Sequence, residues 1–362
     1  MQSFGARLGD PGAGVQSRRG GAGPSDHKAV TLDGMTVMVP VHTAPAFASP
    51  YVIEAPGAGG RSRVLRDGVP VGEVSFPGRP RFYDLHTADG IPYSQIAVLH
   101  GRDVLATTVL QTCVRYQSRT RTCRFCAIGQ SLAAGRTLER KTPAQLAEVA
   151  SAAVELDGVT HMVMTTGTPR GGDRGAAILA ESASAVKAAV ALPIQVQCEP
   201  PDDDAWFVRL REAGADALGM HLEAVSERVR REIMPGKAEV PLSRYFSAFA
   251  AAVPVFGRGQ VSTYVLAGLG DTAEEVLAVC AQLIDIGVYP FVVPFVPIAG
   301  TPLEDHPPPS PAFMASLFAP LAAMLAGGGL AATAVKAGCA RCGACSALAS
   351  WERGRAGCGG RP

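Results

Sequence analysis

From residue 104 onward the chain repeats one pattern: a short apolar run, a polar or glycine-rich loop, then an amphipathic helix. The strand-like runs fall at 104–111, 161–165, 194–198, 217–220, 260–267 and 291–296. Two helix starts between them are explicit. Thr142 caps, Pro143 takes the first helical position and Gln145 closes a capping box, after which Leu146, Val149, Ala153 and Leu156 recur at near-helical spacing. Thr272 and Glu275 form a second box before Val276 and Leu277. Strands that alternate with helices specify parallel βαβ units. Six units predict the α/β class and a partial, TIM-like (β/α)6 barrel over 104–330, open enough for a large substrate. A doubly wound sheet satisfies the same periodicity. Residues 1–30 are rich in Gly, Arg and Ser and read as a flexible N-terminus. Residues 31–103 hold short alternating runs broken by Gly and Pro, such as Met35 to Pro40, and read as a small β-rich region that caps the barrel. Residues 331–362 form a cysteine-bearing C-terminal segment.

In (β/α) barrels the chemistry sits where the strands end, and the unusual residues collect there. Cys113 follows the first strand, with Cys123 and Cys126 close behind in the same loop. Thr165-Thr166-Gly167 follows the second, Cys198-Glu199-Pro200 the third and Met220-His221-Leu222-Glu223 the fourth. Gly268-Leu269-Gly270-Asp271 follows the fifth strand and Pro297 to Glu304 the sixth. A cubane iron–sulfur cluster normally takes four thiolates. Three leave one iron without a protein ligand, and an open metal position is where chemistry happens. Zinc would need a fourth donor nearby, and no histidine lies between His100 and His161.

Three cysteines in one post-strand loop, with aromatic Phe125 before the last, are the signature of a radical S-adenosylmethionine (SAM) enzyme. The nine-residue gap between Cys113 and Cys123 departs from the usual three. Other stretches carry the resemblance further. Gly219 to Glu223, with Arg231 and Met234-Pro235-Gly236, looks like a segment of lipoyl synthase. Val296 to Leu303 looks like one of biotin synthase. Gly21 to Asp26, Gln197-Cys198-Glu199-Pro200-Pro201 and Lys336-Ala337-Gly338-Cys339 resemble a radical SAM family associated with bacterial nitrile-biosynthesis gene clusters. The resemblance implies that Cys113, Cys123 and Cys126 hold a [4Fe-4S] cluster whose free iron chelates SAM. Thr165, Thr166 and Gly167 stand where the superfamily often has Gly-Gly-Glu, and would hold the SAM amino group without its acidic residue. Glu199 and Glu223 would take SAM hydroxyl and ammonium groups. Gly268 suits the adenine-binding strand. Glu199 could instead cap a helix, His221 could be a core histidine, and Asp271 is more often a helix N-cap.

Cys339, Cys342 and Cys345 are three further cysteines at two-residue gaps, a spacing common in ferredoxin-like loops. They predict a second, auxiliary cluster, with Cys358 as an available fourth ligand, whereas Cys280 falls in a helix pattern and reads as core. Such a cluster could relay an electron, bind substrate or be consumed as a sulfur source, as in lipoyl and biotin synthases. Sulfur insertion is the leading chemistry. Oxidation or carbon-skeleton rearrangement towards a nitrile-type product is its rival, and a non-catalytic redox or sensor protein is the third option. Expected partners are a small metabolite and an electron donor such as flavodoxin or ferredoxin. A net charge of +1 with 18% charged residues gives no single-sign field for nucleic acid or a membrane surface. No apolar secretory region opens the chain, and nine cysteines without an export signal read as ligands in a reducing cytoplasm.

Overall fold

The computed structural model describes residues 1–9, 27–57, 59–116, 118 and 120–358, with no account of side chains beyond 354. Most of the expected flexible N-terminus, the Gly21–Asp26 stretch and the Cys358 side chain lie outside the described residues.

Thirteen strands form two sheets among the described residues. The first sheet contains β1 (Arg7–Leu8), β2 (His27–Leu32), β3 (Met35–Pro40), β4 (Tyr51–Ile53), β5 (Arg61–Arg66) and β6 (Val69–Ser75), in the order β1-β4-β5-β6-β2-β3. Its core is small and aliphatic, with Val30, Val39, Ile53, Val64 and Val74 at its centre. The second sheet contains β7 (Val98–His100), β8 (Val104–Thr108), β9 (His161–Thr165), β10 (Ile194–Gln197), β11 (Ala217–Gly219), β12 (Val261–Ala267) and β13 (Val288–Pro294). From β8 to β13 the strands are parallel and adjacent in chain order, and β7 adds an antiparallel edge through a tight hairpin to β8. β13 begins three residues ahead of the run at 291 that the sequence suggests. The reason is Pro290, which reads as a break but is tolerated on an edge strand because its missing N–H faces no partner.

Helices connect the strands and cover one face of the sheet. Both capping boxes form, at Thr142/Gln145 and Thr272/Glu275. The helices Pro143–Asp157, Ala176–Ala189 and Leu242–Phe256 pack on Leu105, Met162, Met164, Ile194, Val196 and Leu218 in one continuous core. The alternate positions point the other way: Ala106, Val163, Thr165, Gln197, Tyr264 and Val293 come from five strands yet line one cavity. A flat sheet could not bring them together, so the sheet curls around that cavity. Barrel interiors are normally filled with branched apolar side chains. Here Gln195, Gln197, Ser262 and Tyr264 face inward, and buried polar groups of this kind require partners.

Those partners come partly from the C-terminal segment, which runs along the beginnings of the parallel strands. Gly338 N donates to His161 Nδ1 at 3.1 Å, Cys339 N to Gln195 Oε1 at 3.3 Å and Lys336 N to Gln260 Oε1 at 2.9 Å. Burial holds the His161 pKa down at about 4, so the ring is a neutral acceptor. The first sheet closes over the same end, where Met38 N and Gln2 Nε2 both donate to Ala344 O, at 2.8 and 3.0 Å. Among the described residues no helix is long and apolar enough to cross a membrane.

Candidate active site

The loop after β8 carries Cys113, Cys123 and Cys126 and is tied down on two sides. Val114 N donates to Thr168 O at 2.9 Å and Gly167 N to Leu110 O at 2.8 Å, joining it to the loop after β9. Arg124 N donates to Ile233 O at 2.8 Å, joining it to the helix Glu227–Ile233. Gly167 makes the first junction possible. A Cβ there would lie 2.1 Å from Thr112 O, the carbonyl just before Cys113. The Cys126 thiol lies within electrostatic reach of both Cys113 and Cys123. Burial pushes the Cys126 thiol up to about 12 and the Cys123 thiol well above its ordinary value, with nearby Glu223 adding to both. Thiols this reluctant to ionise become ligands when a metal takes the place of the proton.

Behind the cysteines lies a buried set of balanced charges. Arg115 Nη1 pairs with Glu199 Oε1, and Arg115 Nε donates to Gly236 O at 2.6 Å. Thr168 Oγ1 donates to the same Glu199 oxygen at 2.8 Å. Lys237 Nζ pairs with Glu223 Oε2 at 2.7 Å. Burial works against the Lys237 ammonium, but Glu223, with Tyr245 and Glu199, outweighs it and holds the lysine above its usual range. Glu223 itself has a φ of +64°, a left-handed conformation uncommon for a side chain of this kind. Its N–H donates to Tyr264 O and its C=O accepts from Leu266 N, both at 2.8 Å, so β12 holds the strained residue in place.

The other expected binding residues divide into two groups. Thr165, His221 and Glu223 line the cavity. His221 Nδ1 accepts from Tyr264 N at 3.2 Å, and burial followed by the Lys237 charge lowers its pKa to about 3, so it is neutral. Thr166 turns back on its neighbour, donating to Gly167 O at 2.8 Å. Gly268 and Asp271 stand apart from the cavity-lining residues. Gly268 O bonds His306 Nε2 at 2.8 Å. Asp271 receives Val225 N at 2.8 Å and Ser226 N at 3.0 Å, so both its oxygens order the segment before Glu227, while the helix cap beside it is Thr272. Cys198 and Cys280 are buried against helices in the apolar cores.

The residues fit the groups that the cysteine pattern implies. Soft thiolates suit an iron–sulfur centre. Among the described residues no three Cys, His, Asp or Glu side chains stand close enough for one metal ion, whereas a cubane spreads its thiolates over different irons. Glu199 Oε2, Gln111 Oε1 and Gln130 Oε1 are buried around this loop without a protein partner. They are acceptors for a polar, cationic ligand.

Cys339, Cys342 and Cys345 converge at the opposite end of the cavity. The short helix Cys339–Cys342 and the turn after it bring the thiols within reach of one another. Gln197 Nε2 donates to Cys339 Sγ at 3.4 Å, and Tyr264 lines the same cavity as Cys339 and Cys345. Cys339 and Cys345 line the cavity of about 320 Å³ that Phe125 and Glu223 also line. Arg115, Lys237 and Tyr264 drew no attention in the sequence, and Gln197 stood out only as part of the stretch Gln197 to Pro201. Period-2 alternation across Gln195 and Gln197, in a strand otherwise apolar, was the available signal for the inward-facing amide. Lys237 directly follows the Met234-Pro235-Gly236 stretch.

Comparison with known proteins places residues 120–283 in register with the Radical SAM superfamily. The bacteriochlorophyllide c C-7(1)-hydroxylase of Chlorobaculum limnaeum is 30% identical over 121 residues, which is 33% of this chain and 30% of that enzyme. The match thus spans less than a third of that relative. Among solved structures, methylornithine synthase is 19% identical, with a TM-score of 0.48 over 61% of this chain and 62% of its own. A radical SAM methyltransferase from Sphaerobacter thermophilus is 15% identical, with a TM-score of 0.46 over 81% of this chain and 76% of its own.

Proposed function

We propose that the chain is a radical SAM enzyme with a partial (β/α)6 barrel, acting on a small molecule held between two iron–sulfur centres. Cys113, Cys123 and Cys126 hold the first centre, and Glu199, Glu223, Thr165, Thr166, Gly167, His221, Gly268 and Asp271 form or support the SAM site. When bound there, the cluster and SAM supply a 5′-deoxyadenosyl radical that takes hydrogen from carbon. The chain's own residues prepare that site. Arg115 and Lys237 pair with Glu199 and Glu223 and orient them, and Glu199 Oε2 remains available to a ligand donor. Neutral His221 adds no charge to the cavity wall. The curled sheet and the C-terminal segment both contribute walls to the cavity between the centres.

One observation carries the reading of the second centre: Cys339 and Cys345 face the same cavity as Phe125 and Glu223. A cluster placed there is within reach of a substrate that the first centre has activated, whereas a remote electron relay needs no opening to the cavity. This supports sulfur insertion, with the auxiliary cluster consumed as the sulfur substrate, in the biosynthesis of a specialised metabolite. The hydroxylase relative favours a second reading, oxidation without sulfur transfer. Flavodoxin or ferredoxin fits as the electron donor.

Anaerobic incubation with SAM, a reductant and cell extract tests this. The Cys113/Cys123/Cys126→Ala variant is expected to form no 5′-deoxyadenosine, and formation at the wild-type rate refutes the radical SAM reading. Protein rebuilt with heavy sulfide is expected to pass that isotope into product at no more than about one equivalent. Many turnovers to a sulfur-free product reject sulfur insertion in favour of oxidation.

A further inference from the structure

The hairpin between β7 and β8 presses directly on the C-terminal cysteines. His100 Nε2 stands 3.4 Å from Cys345 Sγ, and the His100 ring lines the same cavity as Cys339 and Cys345. Gly101 follows at φ +63°, and a Cβ on it would lie 2.9 Å from Cys342 Sγ. Two consecutive residues therefore touch two of the three cysteines, and glycine is required at the second so that the first can come this close. The backbone is rigid here: His100 pairs with Val104 across the hairpin, and Leu99 N donates to Tyr83 Oη at 3.0 Å.

The other neighbours of the trio have different chemistry. Gln197 offers a hydrogen-bond donor to sulfur, and Tyr264 presents a phenol ring to the same cavity. The Asp103 carboxylate accepts from Thr160 Oγ1 at 2.6 Å. An imidazole nitrogen is an established iron ligand in iron–sulfur proteins, where it replaces thiolate. Three cysteines from one turn leave a cubane with one unclaimed iron, and His100 is presented to that centre by a separate, fixed element.

We propose that His100 is the fourth protein ligand of the C-terminal cluster, bound through Nε2. This rests on the reading of Cys339, Cys342 and Cys345 as cluster ligands. It also deepens that reading, because a four-ligand cluster opens to substrate only when the histidine leaves, which makes His100 the displaceable ligand on the cavity side.

The test uses full-length protein carrying Cys113/Cys123/Cys126→Ala, so that only the C-terminal centre is loaded. Iron and labile sulfide are measured first. Zinc without sulfide, or no metal, refutes the cluster reading itself and the proposal with it. With the cluster present, pulsed EPR of the reduced form is compared between protein with natural and with 15N-labelled histidine. The expected result is a strong coupling from directly bound nitrogen that changes with the isotope. It should vanish in His100→Ala. In His100→Cys it should vanish with iron retained and the reduction potential moved to a more negative value. A loaded cluster with no nitrogen coupling, or with only the weak coupling of a hydrogen-bonded N–H, overturns the proposal while leaving the cluster reading intact. The isotope comparison needs no substitution at His100, so it decides the matter even where a His100 variant misfolds.

Discussion

Replacing Arg115 with methionine tests the buried charge set directly. The Arg115 and Glu199 side chains are only 5% and 10% exposed, so water screens the pair little. Without the guanidinium, Glu199 keeps one partner, Thr168 Oγ1 at 2.8 Å, and its Oε2 has none. Gly236 O also loses its donor at 2.6 Å. Breaking a buried pair in this way costs about 3–5 kcal/mol, because a charge is left uncompensated. Removing both charges in Arg115→Met/Glu199→Gln takes away that penalty, so the double variant should be more stable than the single by about 2 kcal/mol or more. At about 2 °C per kcal/mol for a chain of this size, the single variant should melt roughly 6–10 °C below wild type. Thermal unfolding of cluster-loaded protein, followed by circular dichroism under anaerobic conditions, measures both quantities. A single variant within about 2 °C of wild type, or a double variant no more stable than the single, would refute the argument that this pair is held by mutual neutralisation.

Gly167→Ala must move the two loops apart by at least about 0.9 Å, the difference between 3.0 Å, below which Cβ contacts essentially do not occur, and the 2.1 Å available. Overpacking of that kind costs about 1–3 kcal/mol, and displacing Cys113 should slow 5′-deoxyadenosine formation by about 100-fold; a rate within twofold of wild type sinks the close-approach argument. The Cys339/Cys342/Cys345→Ala variant should lose about half of the roughly eight irons expected of two cubanes, yet still cleave SAM slowly, as iron analysis and product chromatography would report. His161 and His221 have folded pKa values near 4 and 3, below the ordinary value of 6.5. The unfolded chain therefore binds more protons below pH 6.5, and the stability these rings contribute is complete above that pH and lost as pH falls towards 4. Melting temperatures should drop from about pH 7.5 to about pH 5, and a His161→Gln variant should show a shallower drop; an unchanged slope in that variant contradicts the assignment.

Local physics made much of the architecture legible. Apolar runs of strand length, two complete capping boxes and glycine-rich loops are short-range signals, and each appears within a few residues of its expected place. The grouping of the candidate residues at strand ends follows from topology alone, because parallel strands in chain order bring all their exits to one rim. The cysteine triplets were legible because each lies within one short stretch of chain.

What the sequence could not supply is every relation that crosses the curled sheet. Arg115 finds Glu199, which is 84 residues away, and Lys237 finds Glu223 across a helix. Cys345 meets His100 at a separation of 245 residues. Gln195 and Gln197 look like misplaced polar residues in a buried strand until the C-terminal segment arrives to satisfy them. Periodicity says which face a side chain takes, but only closure of the sheet decides what it faces. The sequence determined two sulfur-rich loops and six strand–helix units. Tertiary structure alone put those loops at opposite ends of one cavity, because the first loop follows a strand's end while the second is anchored by hydrogen bonds to the strands' beginnings.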